Sequence, residues 1–322
     1  MDRRNFLALT AAASLTGPAW AQPAHWPQGP VRLVVPFPPG GPSDVLARIL
    51  AERLAPKWGV PVIVDNKPGA STLVGASAVV NGPHDGSAFL VTVSVTLRLP
   101  LMLATVPFDP NKELVPAGAI ATEPLMLVVN SNVKANTLAD LIRLVKAEPA
   151  KFSFGTYGVG SAAHLALIEI NKAAGVNLVH IPYKGSTLLV PAVVAGDVPI
   201  GMSNLGTLKP HIQSGKVRAI AVTGGERYRF APEVPTLAES GIKGFDSPLW
   251  LGVFAPARTP KPIIAKFNEA LRETLRLPEV AKRIQDYSQD PAPISLEEFQ
   301  KMVERDNETA FPMIRASGVR LD

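Results

Sequence analysis

The chain has 322 residues, 47% of them apolar, a formal net charge of +5 and no cysteine. The lack of cysteine excludes a disulfide framework, a thiolate metal site, a Cys nucleophile and a lipid-anchored Cys behind a signal. The 32 Lys and Arg and the 27 Asp and Glu are scattered, without the arginine-rich or basic-aromatic segments of nucleic-acid binders, so no nucleic-acid partner is expected.

At the N-terminus, Arg3-Arg4 precedes an apolar stretch from Phe6 to Leu15, which Gly17-Pro18 breaks. Ala19-Trp20-Ala21 then gives the small-x-small pattern of a cleavage site. Residues 1–21 read as an export signal cut after Ala21. The arginine pair followed by Phe-Leu resembles a twin-arginine signal, while Asp2 and Ala8 depart from it, so the general secretion route stays open. The apolar part is about ten residues, too short to span a bilayer. No later run of 18 apolar residues exists, so a free, soluble exported protein is expected. Loss of Asp2, Arg3 and Arg4 takes the charge from +5 to +4.

The remaining length exceeds one comfortable core and predicts two domains. Proline, 32 of 322 residues, is roughly twice the usual ~5% and sits between apolar runs, which predicts many short loops. Val31–Phe37 reads as a buried strand, Ser43–Lys57 as a helix, Val62–Asn66 as a strand, Leu73–Val80 as a short helix and Phe89–Val93 as a third strand. That β-α-β-α-β order is the mark of a parallel sheet with helical crossovers. A second series starts at Leu125–Val129. Thr137-Leu-Ala-Asp140 reads as a capping box for a helix to about Glu148. Then come a strand at Phe152–Phe154, a helix at Ser161–Ala174, a strand at Asn177–Ile181, a helix at Ser186–Ala195, and strands at Val198–Met202 and Val217–Val222. After a loop-rich stretch, Trp250–Phe254 is a late strand. Thr259-Pro260 reads as the cap and first proline of a helix to about Arg276, whose Phe267, Leu271 and Leu275 read as core. Ser295-Leu-Glu-Glu298 is a second capping box.

Four strand–glycine–helix junctions carry the functional reading. The first, Phe154–Glu169, contains Gly158-x-Gly160-x-x-Ala163, which has the look of a dinucleotide fingerprint. The acid such a site needs about twenty residues on is missing, since Leu178–Pro182 carries none, so no nicotinamide cofactor is expected. What remains is a helix N-terminus with free amides and a positive dipole end, suited to a carboxylate or phosphate. Val34–Asp44 repeats the construction through Gly40-Gly41, with Ser43 as the expected cap and Asp44 as a dipole partner or a receiver of a ligand ammonium. Ile181–Thr187 is a third, with Lys184 beside it, and Asn66-Lys-Pro-Gly69 a fourth. Catalytic patterns are poor. No G-x-S-x-G occurs, and Ser161 with His164 lacks an orienting acid, leaving a hydrolase only as a rival reading. His25, His84, His164, His180 and His211 lack metal-ligand spacing, so no metal is expected.

Seven ordered segments carry a family likeness: VVPFPPGGPSDVLAR (34–48), VDNKPGA (64–70), HDG (84–86), YGVGSAAHLA (157–166), IPYKGS (181–186), RAIAVTGGERYRFAPEVPTLAESG (218–241) and WLGVFAPARTP (250–260). The chain resembles the Bug family of periplasmic solute-binding proteins, the receptors of tripartite tricarboxylate transporters. The resemblance implies an α/β protein with two lobes, like type II periplasmic binding proteins, and a ligand cleft between them. It implies lobe 1 at residues 25–124 plus 245–322 and lobe 2 at 125–244. It further implies a non-enzymatic receptor that holds a small carboxylate through main-chain N–H groups and delivers it, as a monomer, to the transporter's membrane subunits; a ligand-sensing partner of a signalling system is the alternative. By position the site falls on Phe37, Gly40, Gly41, Ser43 and Asp44; on Tyr157, Gly158, Gly160, Ser161 and His164; and on Tyr183, Lys184, Gly185, Ser186, Ser203 and Asn204. The chain departs from the family at Gly69-Ala-Ser-Thr72, where glycines are usual, and at Ser87-Ala88, where an aromatic is usual. It also has Gly201-Met-Ser203 where an aspartate is common, which removes one candidate partner for a ligand ammonium.

Overall fold

The structure is a computed structural model that describes residues 26–245 and 249–321; the expected signal lies outside them. The first series runs β1 (Val31–Val35), α1 (Pro42–Trp58), β2 (Val62–Asn66), α2 (Leu73–Val80), β3 (Ala88–Val93) and β4 (Leu114–Glu123). The second runs β5 (Leu125–Asn130), α3 (Leu138–Ala147), β6 (Ser153–Thr156), α4 (Ala162–Ala174), β7 (Val179–Pro182), α5 (Ser186–Ala195), β8 (Ile200–Asn204), α6 (Leu205–Gln213) and β9 (Val217–Val222). The chain then returns through β10 (Leu249–Pro256), α7 (Lys261–Arg276), α8 (Pro278–Asp286), β11 (Asp290–Pro291) and α9 (Leu296–Ser317).

The strands form two sheets, ordered β11-β4-β10-β3-β1-β2 and β7-β6-β8-β5-β9. Strands β1, β2 and β3 pair in parallel, with α1 and α2 as crossovers, so β1 is covered on both faces and is apolar nearly throughout. The molecule is two-lobed. The backbone leaves the first sheet at Glu123-Pro124, where β4 runs directly into β5, and comes back at β10, which pairs antiparallel with both β3 and β4. These crossing strands place the carboxyl ends of β1 and β6 on the same cleft, the region where open α/β sheets bind ligands.

Each lobe has its own core. In the first, Phe89 and Phe267 stack at 4.1 Å between centroids, with Trp26 and Trp58 against them; Phe267, Leu271 and Leu275 are buried as the helical spacing predicts. In the second, Leu127, Phe154, Leu167 and Ile200 are buried together. A further cluster joins the lobes: Val95, Leu99 and Met102 pack on Leu165 of α4 and on Ala310 and Ile314 of α9. Arg98, 1% exposed, pairs with Asp306 and donates to Gly160 O at 3.2 Å. A second tie between the lobes is Tyr228, whose Oη donates to Ser288 O at 2.9 Å.

Four elements differ from the sequence reading, the two-residue strand β11 among them. Strand β4 was not expected, because Pro116 and a run of Gly and Ala give no strand pattern; it is held from outside, by β10 and β11. Helices α6 and α8 were not expected either. At α1, Gly41 is the N-cap and Pro42 the first helical residue, so Ser43 is buried inside the first turn and caps nothing. At α7 the cap is Pro260 and not Thr259. The box at Ser295 and Glu298 forms in full. At Thr137, Oγ1 accepts from Asp140 N–H, while the Asp140 carboxylate accepts from Asn136, one residue further upstream.

Candidate functional site

The glycine corners sort by what their amides do. At the first corner of lobe 2, Ser161 caps α4: its Oγ accepts from His164 N–H and donates to Gly158 O at 2.6 Å. Gly158 N–H goes to Thr156 Oγ1, Gly160 N–H to His164 Nδ1 at 3.1 Å and Ser161 N–H to Gly158 O. The amides of this corner that the sequence singles out are therefore taken by the corner's own groups. Gly160 has φ +70°, and a Cβ there would lie 1.9 Å from Met102 Sδ, so this glycine serves the contact between lobes.

His164 is buried and stacks on His180 with centroids 3.8 Å apart. Burial, with the neighbouring His180, lowers the His164 pKa to about 3; burial lowers that of His180 to about 4. Both are neutral at pH 7. Because Nδ1 of His164 accepts the Gly160 N–H, its proton sits on Nε2. No lone pair is left to activate Ser161, whose own hydroxyl is directed to Gly158 O, and the rival hydrolase reading loses its base.

At α1 and α5 the amides are differently placed. Both helices have glycine N-caps, Gly41 and Gly185, and neither has a side-chain cap. The first-turn N–H groups of Ser43 and Asp44, and of Ser186 and Thr187, thus lack a capping acceptor. The two ends face each other: a Cβ on Gly40 or Gly41 would be 3.9 Å from Thr187 Cγ2, and one on Gly185 would be 3.4 Å from Pro38 Cδ. Between them lies a cavity of about 60 Å³, room for roughly four to six waters at about 10–15 Å³ each. Its walls include Phe37, Tyr157, Leu125, Glu123, Asn204 and Trp250. Two positive dipole ends, one from each lobe, meet at one small cleft, which is an arrangement suited to an anion.

Asp44 does not face this cavity. It is 3% exposed, accepts from Gly40 N–H at 2.9 Å and from Asn66 Nδ2 at 3.0 Å, and is gripped by the Arg48 guanidinium. Burial alone would raise its pKa; the bonds from Arg48, Gly40 and Asn66 outweigh that and hold it below the ordinary carboxylate value. Asn66 Nδ2 also donates to Phe37 O. Asp44 therefore fastens the Phe37–Gly41 loop in shape. Ser203 Oγ donates to Ser186 Oγ at 2.9 Å, and Asn204 Oδ1 accepts from Thr207, so these two strand-end residues brace the α5 corner. Tyr183 and Lys184 border a second, larger chamber, with Gly69–Thr72 opposite. There Ala70, Ser71 and Thr72 all have positive φ, at the place where the resembled family carries glycines.

Sequence reasoning missed Thr187, Trp250 and Glu123. Glu123 had a signal: it is the single charged residue between Glu113 and Lys134. Burial raises its pKa to about 8, against the opposing influence of the Gln289 and Asn204 amides.

The family profile described as "Tripartite tricarboxylate transporter family receptor" matches residues 46–319. Protein BugT of Bordetella pertussis is 32% identical over 316 residues, covering 97% of this chain and 95% of that protein. The solved structure of periplasmic binding protein BugD superposes with a TM-score of 0.84 at 31% identity, over 92% of this chain and 99% of that one. R. palustris Rpa4515, solved with adipate, gives 0.83 at 29%, with 92% and 99% coverage. By profile, sequence and superposition alike, the chain belongs to the tripartite tricarboxylate transporter receptor family, among the Bug proteins.

Proposed function

We propose that the protein is a periplasmic receptor that captures a small organic acid between its lobes and presents the closed form to the membrane subunits of a tripartite tricarboxylate transporter. The observation that carries this is the meeting of two uncapped helix N-termini, Gly41–Asp44 and Gly185–Thr187, on one cavity. Amide donors aimed from both lobes hold a carboxylate by charge-assisted bonds in a low-dielectric cleft, with no arginine needed. The bound adipate of the Rpa4515 neighbour supports the same ligand chemistry. Ala19-Trp20-Ala21 supports export with cleavage after Ala21. The two sheets support taking residues 25–124 with 245–322 as one lobe and 125–244 as the other. The cleft is complete within one chain, which supports a monomer.

The test is a thermal-shift panel of carboxylic acids followed by calorimetric titration of the best binder, with Gly41→Asp beside the parent. Gly41 has φ −78° and ψ 170°, the conformation of an N-cap residue, and its Cβ would meet no atom closer than 3.7 Å. An aspartate there caps α1, adding a few tenths of a kcal/mol of stability over glycine, and turns its carboxylate onto the amides meant for the ligand. We expect a higher melting temperature with affinity down at least tenfold. Unchanged affinity in the capped variant refutes this grip.

A further inference from the structure

We propose that Glu123 reads the second pole of the ligand, and that this receptor takes a small carboxylate bearing an ammonium group in preference to a dicarboxylate. The inference rests on the receptor reading above and concerns the same cavity. Glu123 ends β4 at the crossing between lobes and lines the cavity opposite the two helix ends. Its Oε2 is buried and has no hydrogen-bond partner. The Asn204 and Gln289 side chains approach it and favour its ionised form, yet Asn204 Nδ2 and Gln289 Nε2 are themselves without a formed bond. The pairing of Leu125 with Asn204 in the sheet brings Asn204 beside the crossing. Two amide donors thus flank a carboxyl group that forms part of the cavity wall and borders a further chamber beside Arg229 and Asp290.

Charge decides what that group accepts. Among the described residues lining the cavity there is no Lys, Arg or His; Glu123 is its one acid. The other titratable groups that feel its charge are phenols: Tyr157 from the end of β6, Tyr228 beyond β9 and Tyr287 after α8. Asp290, next to the crossing in the sheet, is taken up by Arg229. A second carboxylate would meet no cation here and would face Glu123 directly. An ammonium finds a carboxylate already supported by two amides, and the pair leaves the ligand's own carboxylate to the helix ends.

With its pKa raised to about 8 by burial, Glu123 holds a proton at neutral pH. An ammonium ligand binds the ionised form, so this proton leaves for solvent on binding. Affinity for such a ligand rises with pH, by up to tenfold per unit below about 8, and levels above it. A second carboxylate needs the protonated form, and its affinity falls as pH passes about 8.

The experiment is calorimetric titration at pH 6, 7, 8 and 9 with glycine, β-alanine, γ-aminobutyrate and aspartate against malonate, succinate and glutarate. It is run in two buffers of different ionisation enthalpy to count protons. We expect an amino acid to bind best, close to one proton released at pH 7, and affinity rising to pH 8. Glu123→Gln, which mimics the neutral acid and should fold alike, loses at least a hundredfold for that ligand and reverses the ranking. Glu123→Asp, which keeps the charge, ranks between. A dicarboxylate that binds tenfold tighter than every amino acid, with affinity falling above pH 8, overturns the inference and leaves the receptor reading intact. Failure of both sets while another acid of the thermal-shift panel binds overturns the inference alone; failure of the whole panel overturns the receptor reading and the inference with it.

Discussion

At Tyr157–Ser161 a serine stands at the N-cap of α4; at Tyr183–Ser186 a glycine stands at the N-cap of α5. Both corners follow a parallel strand, both hold glycines at positive φ, and both open a helix of ten residues or more. The serine closes its corner: hydroxyl, imidazole and carbonyl account for the singled-out amides. The glycine leaves its corner open to the cavity. Whether a helix end binds a guest or only terminates neatly is thus set by the side chain at one position, because an N-cap oxygen and an anion compete for the same donors.

The strongest way to break this comparison is Gly160→Val. A branched side chain at φ +70° with a buried sulfur 1.9 Å from its Cβ costs about 3 kcal/mol or more. We expect a large fall in unfolding free energy in urea and loss of closure by small-angle scattering. Closure retained at full stability would refute a role for Gly160 between the lobes. Acid comes next. His164 and His180 have folded pKa values depressed below the unfolded value of about 6.5, so their contribution is full above that pH and is lost as pH falls toward about 3 for His164 and about 4 for His180. Protonation of His164 also takes away the acceptor of Gly160 N–H. Between pH 6.5 and 5 each histidine can cost up to about 2 kcal/mol. Urea titrations at both pH values should show this loss in the parent and much less of it in His164→Gln with His180→Gln. The smallest effect is that of Ser161→Ala, which removes the cap of α4 at about 1 kcal/mol and leaves ligand affinity within twofold. Affinity lost tenfold in that variant would mean that the capped corner, too, grips the ligand.

Much of the fold was legible because its cues are local. The apolar runs at Val31 and Leu125, the glycine turns and the Ser295 box each act within a few residues. Strand β4 was not legible, since Pro116, Gly118 and alanines form a strand only between β10 and β11, partners from the far end of the chain. The site divides in the same way. The glycine corners could be seen in the sequence, yet which of them is open depends on where Thr187 and Pro38 meet across the lobes. Glu123 stood out as a lone charge in an apolar stretch, but its place beside Asn204 comes from the β5–β8 pairing.

The helix ends at Ser43 and Ser186 belong to different lobes. Each carries about half an elementary charge, so something near one full positive charge exists at the cavity only while the lobes are together. A guest anion is then its own latch, and separating the lobes removes half of its counter-charge without any bond to a fixed cation having to break. Unloading becomes a mechanical act: whatever pries the two halves apart also lets go of the cargo.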